Sequence, residues 1–130
     1  MSNVQAQNKR VLLIDSEHSF DETYPKKLGM NLGVEQFKLI QPDFAEEAFD
    51  YAAAAARGGL FDMIIFDSQT ALVPKKGFEG DTGDSTLGLK SRLMSAEVPK
   101  LVSLCAKNKD CLSRFLGNRN TTSEQRRRER

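Results

Sequence analysis

Val11, Leu12, Leu13 and Ile14 are apolar at four successive positions, and the run stops at Asp15. A strand with one wet face alternates, whereas a short run that is apolar throughout is buried on both faces, as in a parallel sheet. Phe37 to Ile40 is a second short strand candidate, and Phe61 to Asp67, centred on Met63 to Phe66, is the most apolar run in the chain. Cys111-Leu112 begins a fourth. The pattern predicts strands at 11–15, 37–41, 62–67 and about 111–116. Between them the period lengthens. Asp21 to Leu28 reads as a short helix ended by Gly29, with Pro25 tolerated in its first turn. Ala45 to Arg57 is alanine-rich, with Asp43 as expected N-cap and Glu46 three residues on; Gly58-Gly59 ends it. Phe44, Ala48, Tyr51 and Ala55 are its predicted sheet-facing side. Leu87 to Lys107 reads as a further helix, with Leu89, Leu93, Val98, Leu101 and Cys105 inward and Pro99 predicting a kink or two helices. Residues 73–86, with Pro74, Gly77, Gly80 and Gly83 among charges, read as a long loop, with 76–86 expected to be poorly ordered. Strand and helix in alternation predict an α/β fold whose mainly parallel sheet is flanked by helices, with chemistry at the C-terminal strand ends.

Composition narrows this picture. The 130 residues suit one domain; 39% apolar and 28% charged content is that of a globular protein. No apolar stretch approaches the roughly 20 residues of a membrane span, and the polar start is unlike a secretory signal. Cys105 and Cys111 have neither metal-type nor redox-type spacing, which reads as two reduced thiols in a cytoplasmic protein. The expected organisation is a disordered lead-in at 1–10, a core at 11–112 and a divergent basic tail at 113–130. Charge divides at the same place: residues 1–112 carry 13 Lys and Arg against 16 Asp and Glu, while 113–130 carry six Arg against two Glu. Such a tail attracts phosphate backbones without reading sequence, although composition alone describes a solvated end.

Two buried runs end in carboxylates, Ile14-Asp15-Ser16-Glu17 and Ile65-Phe66-Asp67-Ser68. Acidic groups beside buried strands need cations or donors. An apolar strand closing on Asp is the Walker B pattern, in which Asp67 would hold Mg²⁺ directly or through water. The pattern alone is weak. Glu17 has the chemistry to polarise a water beside a phosphate, and is equally a loop glutamate. His18, the single histidine, reads as a structural hydrogen-bonding residue, and a His/Cys metal cluster is excluded by count. Ser68 lacks the flanking glycines of a nucleophile elbow. Lys75, Lys76, Lys90 and Arg92 flank the glycine-rich stretch, a composition that suits single-stranded nucleic acid or plain solvation.

Several denser strings follow one another in order. Ile14-Asp15-Ser16-Glu17-His18-Ser19-Phe20-Asp21-Glu22-Thr23-Tyr24 resembles the IDAEHALDPxYA segment of bacterial RecA recombinases, and Gln41-Pro42-Asp43 matches their QPD. Asp67-Ser68 with Ala71 to Lys75 resembles DSVAALTPK. Glu79 to Ser85 resembles EGEIGDS, and Gly88 to Ser95 resembles GLAARMMS. The resemblance covers roughly residues 11–95. It implies part of a RecA-like P-loop ATPase core, with ATP and Mg²⁺ as cofactors and single-stranded DNA and further RecA-like subunits in a filament as partners. By resemblance, Glu17 is the carboxylate that activates the hydrolytic water, Asp67 the Walker B metal ligand, and Asp21 and Tyr24 neighbours of the adenine. Gln41 lies near the nucleotide-bearing strand ends. Gly80, Gly83 and Leu87 fall in the first DNA-binding loop, and Arg92 and Ser95 match contacts to the DNA backbone.

The chain also departs from the family. It contains no G-x-x-x-x-G-K-[ST] string. Where a second DNA-binding loop with an Asn-Gln pair is expected, it reads Ser113-Arg114-Phe115-Leu116-Gly117-Asn118-Arg119, and Pro99 replaces a basic residue. The expectations are therefore a fragment of a DNA-dependent ATPase of homologous recombination, inactive on ATP alone; or a non-catalytic module that joins DNA or a filament; or an inert truncated product.

Overall fold

The computed structural model describes residues 9–79, 85–108 and 112–115, with the side chains of 78–87 and 112–115 outside that description. Strands β1 (Val11–Asp15), β2 (Phe37–Ile40), β3 (Met63–Asp67) and β4 (Leu112–Phe115) form one sheet in the order β2-β1-β3-β4. Every pairing is parallel, as the unbroken apolar runs of the two central strands, β1 and β3, lead one to expect. In register, Val11 faces Met63 and Asp15 faces Asp67.

Side chains alternate across the sheet. Leu12, Ile14, Ile64 and Phe66 point to one face, where they meet α2 (Ala45–Gly58) and the end of α4 (Ser85–Lys107) through Leu101 and Cys105. Val11, Leu13, Met63, Ile65 and Phe37 point to the other, closed by Phe20, Met30 and Leu32 from the chain around α1 (Thr23–Lys27). Phe49 of α2 meets Phe66 with ring centroids 5.4 Å apart; such a pair contributes about 1 kcal/mol beyond area burial.

Three local expectations need correction. Helix α2 caps at Phe44, in extended backbone, not at Asp43. The Ala45 N–H donates to the Val73 carbonyl at 2.8 Å, which anchors the first turn one residue later. Glu47, rather than Glu46, then reaches back to the Asp43 N–H at 3.1 Å, while Glu46 accepts from the Lys75 N–H at 2.9 Å. Second, the buried stripe of α2 is Ala45, Ala48, Phe49, Ala52, Ala55 and Ala56. Tyr51 is 43% exposed and Phe44 precedes the helix. Five alanines let the helix lie close to the sheet, and the single large side chain at Phe49 fills the space over Phe66. Third, the stretch expected to be loop holds α3 (Lys75–Glu79), and α4 starts at Ser85; residues 80–84 lie outside the described ones. Of the two alternatives expected at Pro99, a kinked helix or two helices, the structure has the single helix, α4.

Elsewhere pattern and structure agree. Gly59 caps α2 in the left-handed conformation, at φ 59°, and Gly29, at φ 76°, follows α1. The expected lead-in falls mostly, and the expected tail and Cys111 wholly or largely, outside the described residues; Cys105 is buried. Among the described residues, no helix is long and apolar enough to cross a membrane.

Candidate functional site at the ends of β1 and β3

After β1 the chain passes to β2 on one side, and α2 then carries it across to β3 on the other. The crevice outside the C-terminal ends of β1 and β3 is therefore the topological switch point, where ligands of such sheets bind. Register brings Asp15 and Asp67 side by side there. The Ser16 N–H donates to the Asp67 carbonyl at 2.8 Å, which extends the pairing one residue beyond the strands. The peptide bond between Asp67 and Ser68 is cis.

The two aspartates have opposite surroundings. Asp15 is 2% exposed. Its Oδ2 accepts from the Phe20 N–H at 2.9 Å and from Gln41 Nε2 at 3.0 Å, and its Oδ1 from the Glu17 N–H at 3.2 Å. Burial alone pushes this carboxyl up, but the donors from Gln41, Phe20, Glu17 and Ser19 together hold it below the ordinary aspartate value. Asp15 is thus committed to folding the loop from Ser16 to Phe20. Asp67 is exposed, and its carboxyl is pushed above the ordinary value, first by partial burial and then by the negative charges of Glu17 and Asp15. It carries charge that the described residues do not neutralise.

Glu17 projects from the loop that Asp15 ties down. Its Oε1 accepts from Ser68 Oγ at 2.5 Å, so the residues after β1 and after β3 meet directly. Its carboxylate also contributes to the field at Asp67. The expected neighbourhood of Glu17 and Asp67 at adjacent strand ends is therefore present. His18 has the backbone of the left-handed region, at φ 55°, and its Nε2–H donates to the Pro42 carbonyl at 3.1 Å. That bond joins the loop to the segment after β2, the structural role expected of it. Ser16 Oγ is buried and has no hydrogen-bond partner among the described residues.

Asp21 and Tyr24 lie further along the chain, the first before α1 and the second within it. Asp21 is exposed, and backbone and side-chain hydrogen bonds from Thr23 hold its carboxyl below the usual range. Tyr24 lies in α1 and is 67% exposed. Arg92 and Ser95 are exposed on α4. Leu87 lies in α4 with its side chain outside the description, and Gly80 and Gly83 lie outside the described residues. Arg10 is at the opposite end of the sheet, donating from its side chain to the Gly59 carbonyl at 3.1 Å and from its backbone to Asp62.

Sequence reading did not single out the anchoring role of Asp15, the bond from Gln41 to it, or the bond from Ser68 to Glu17. Only the placement of the two aspartates was detectable: equal numbers of residues in two parallel strands, each closing on Asp, put them in register. The two bonds depend on contacts between distant segments and leave no local pattern.

Comparison with known proteins agrees with this architecture. The family model described as the RecA N-terminal domain matches residues 1–119. The RecA protein of Bacillus subtilis (strain 168) is 44% identical over 109 residues, which is 84% of this chain and 31% of that protein. The RecA proteins of Bacillus pumilus (strain SAFR-032) and Bacillus licheniformis are each 43% identical over the same length and shares. The chain thus spans about a third of the length of these curated relatives.

Proposed function

The chain belongs to the RecA family, and on that premise we propose that it carries the carboxylate half of the ATPase site of a homologous-recombination and DNA-repair protein. The observation that carries this reading is the meeting of Glu17, Ser68 and Asp67 at the switch point between β1 and β3. Glu17 is the group that orients a water, held by Ser68 through one oxygen with the other left for the water. Asp67 is the metal-binding carboxylate. Its uncompensated negative charge fits a divalent cation. Among the described residues no three His, Cys, Asp or Glu side chains cluster to hold a metal by themselves. That fits Mg²⁺, which binds through one or two carboxylates and completes its shell with water and phosphate oxygens. When bound, Mg²⁺ neutralises charge that builds up on phosphate oxygens. Asp21 and Tyr24 lie on the adenine side of the site.

The triphosphate does not fit in the same way. The chain has no G-x-x-x-x-G-K-[ST] string to cradle it. Arg10 is bonded to Gly59 at the wrong end of the sheet and cannot substitute. Phosphoryl transfer depends on gripping and neutralising the phosphates, and loss of even one such donor costs about 2 to 3 orders of magnitude. The chain by itself is therefore proposed not to turn over ATP. Its own activity is to contact single-stranded DNA through Gly80, Gly83, Leu87, Arg92 and Ser95, and to associate with RecA-like subunits.

The test is a fluorescence titration of the purified chain with single-stranded DNA, run beside an ATP turnover assay with Mg²⁺. The expected result is weak binding that falls with salt, weakened further by Arg92→Ala with a salt slope lower by about one, and no turnover. Folded protein with no salt-dependent binding refutes the DNA role. Turnover that Glu17→Gln abolishes refutes the inactive reading.

A further inference from the structure

The polar chain that reaches Glu17 does not begin at Ser68. A serine hydroxyl has one hydrogen, and a carboxylate only accepts. The contact with Glu17 therefore uses the Ser68 proton. Ser68 Oγ also lies 2.7 Å from Thr70 Oγ1. With its proton committed, Ser68 accepts in that second contact and Thr70 donates. The bonds then run in one direction, from Thr70 to Ser68 to Glu17, and such chains polarise and strengthen their members.

Thr70 is itself held from another element. Its carbonyl accepts from Lys90 Nζ, on the second turn of α4. Burial alone pulls the Lys90 ammonium below the ordinary lysine value, as expected of a side chain held against protein instead of free in water. Ser68 is 5% exposed, so the middle of the relay is shielded.

We propose that Thr70 and Lys90 are positioning residues that act through Ser68 to hold the Glu17 carboxylate in one orientation at the β1–β3 crevice. Lys90 fixes the backbone of Thr70; the Thr70 hydroxyl commits the Ser68 lone pair; Ser68 directs its proton to Glu17. Helix α4 thereby sets the geometry of a carboxylate borne by the loop after β1. The importance of that geometry rests on the reading of Glu17 given above, but the relay itself is measurable without any turnover.

The experiment uses the full chain, isotopically labelled, and reads the Glu17 side chain by its three-bond couplings and carboxyl carbon shift. In the parent chain a single set of couplings is expected, that of one rotamer. Thr70→Val is expected to average them towards a free glutamate, and Thr70→Ser, which keeps the hydroxyl, to restore them. Lys90→Met is expected to give partial averaging with the fold intact. Averaged Glu17 couplings in the parent chain overturn the proposal. So does an ordered Glu17 in Thr70→Val, or equal loss in Thr70→Ser and Thr70→Val. Should Thr70→Val fail to fold, Lys90→Met decides alone, and unchanged couplings there overturn the proposal. ATP is absent throughout, so failure of the ATPase reading leaves this outcome untouched.

Discussion

Replacing Asp15 by asparagine keeps the side chain's shape but removes its charge and one of its two acceptor oxygens. Asp15 accepts from Phe20 and Gln41 through one oxygen and from Glu17 through the other. If the amide oxygen keeps the first place, the new NH₂ faces the Glu17 N–H, donor against donor. An orphaned N–H costs about 1–3 kcal/mol, and the two surviving bonds each lose about 1 kcal/mol with the charge. Against this, an amide needs less dehydration than a carboxylate that is 2% exposed, which returns about half of the loss. The net expectation for Asp15→Asn is a destabilisation of about 2 kcal/mol, read as a fall of about 1 M in the urea midpoint at neutral pH. The pH dependence follows from the lowered carboxyl. A depressed folded value means that the stability is present above the unfolded value, near 3.8, and is lost as pH falls through the lower folded value. The difference between parent and variant should therefore shrink below that point. Equal midpoints at neutral pH, or a difference that persists undiminished in acid, would refute the assignment of Asp15 as the anchor of the Ser16–Phe20 loop.

Asp67 has the opposite sign: its raised carboxyl means that ionisation costs stability at neutral pH, a cost that fades as pH falls through the raised value. Asp67→Asn should thus stabilise the chain at neutral pH, by only a few tenths of a kcal/mol because the group is exposed and screened; the urea midpoint checks it. Ser16→Ala removes a buried hydroxyl that lacks a partner among the described residues, and should leave stability unchanged or raise it by up to about 1 kcal/mol; a clear loss in the same assay would mean that the hydroxyl is bonded. Ala52 is fully buried between α2 and the sheet, so Ala52→Leu should overpack and cost about 1–3 kcal/mol. Tyr51→Ala, one residue away but half-exposed, should cost under about 1 kcal/mol; thermal unfolding of the pair separates the two faces.

The strands were legible in the sequence because burial on both faces leaves no polar position within Val11–Ile14 or Met63–Phe66. The stop at Gly58-Gly59 was legible because glycine takes the left-handed conformation at little cost. The strings around Glu17 and Asp67 carried the family, and parallel strands that both close on Asp carried the place of the site. Local pattern stopped short where a distant segment chose between near-equal options. Val73 moved the cap of α2 by one residue, and the sheet selected Phe49 over Tyr51 for the buried side. No periodicity announced that Asp15 would be spent on Gln41, Phe20 and Glu17 while Asp67 stayed charged and exposed. Both aspartates follow the same kind of apolar run, and their difference lies in which donors the fold delivers. The same holds for Glu17: Ser68 is 51 residues away, and Lys90 lies 20 beyond Thr70. Hydrogen bonds are short and directional, so partners that far apart are specified only when the packed sheet and helices bring them within reach.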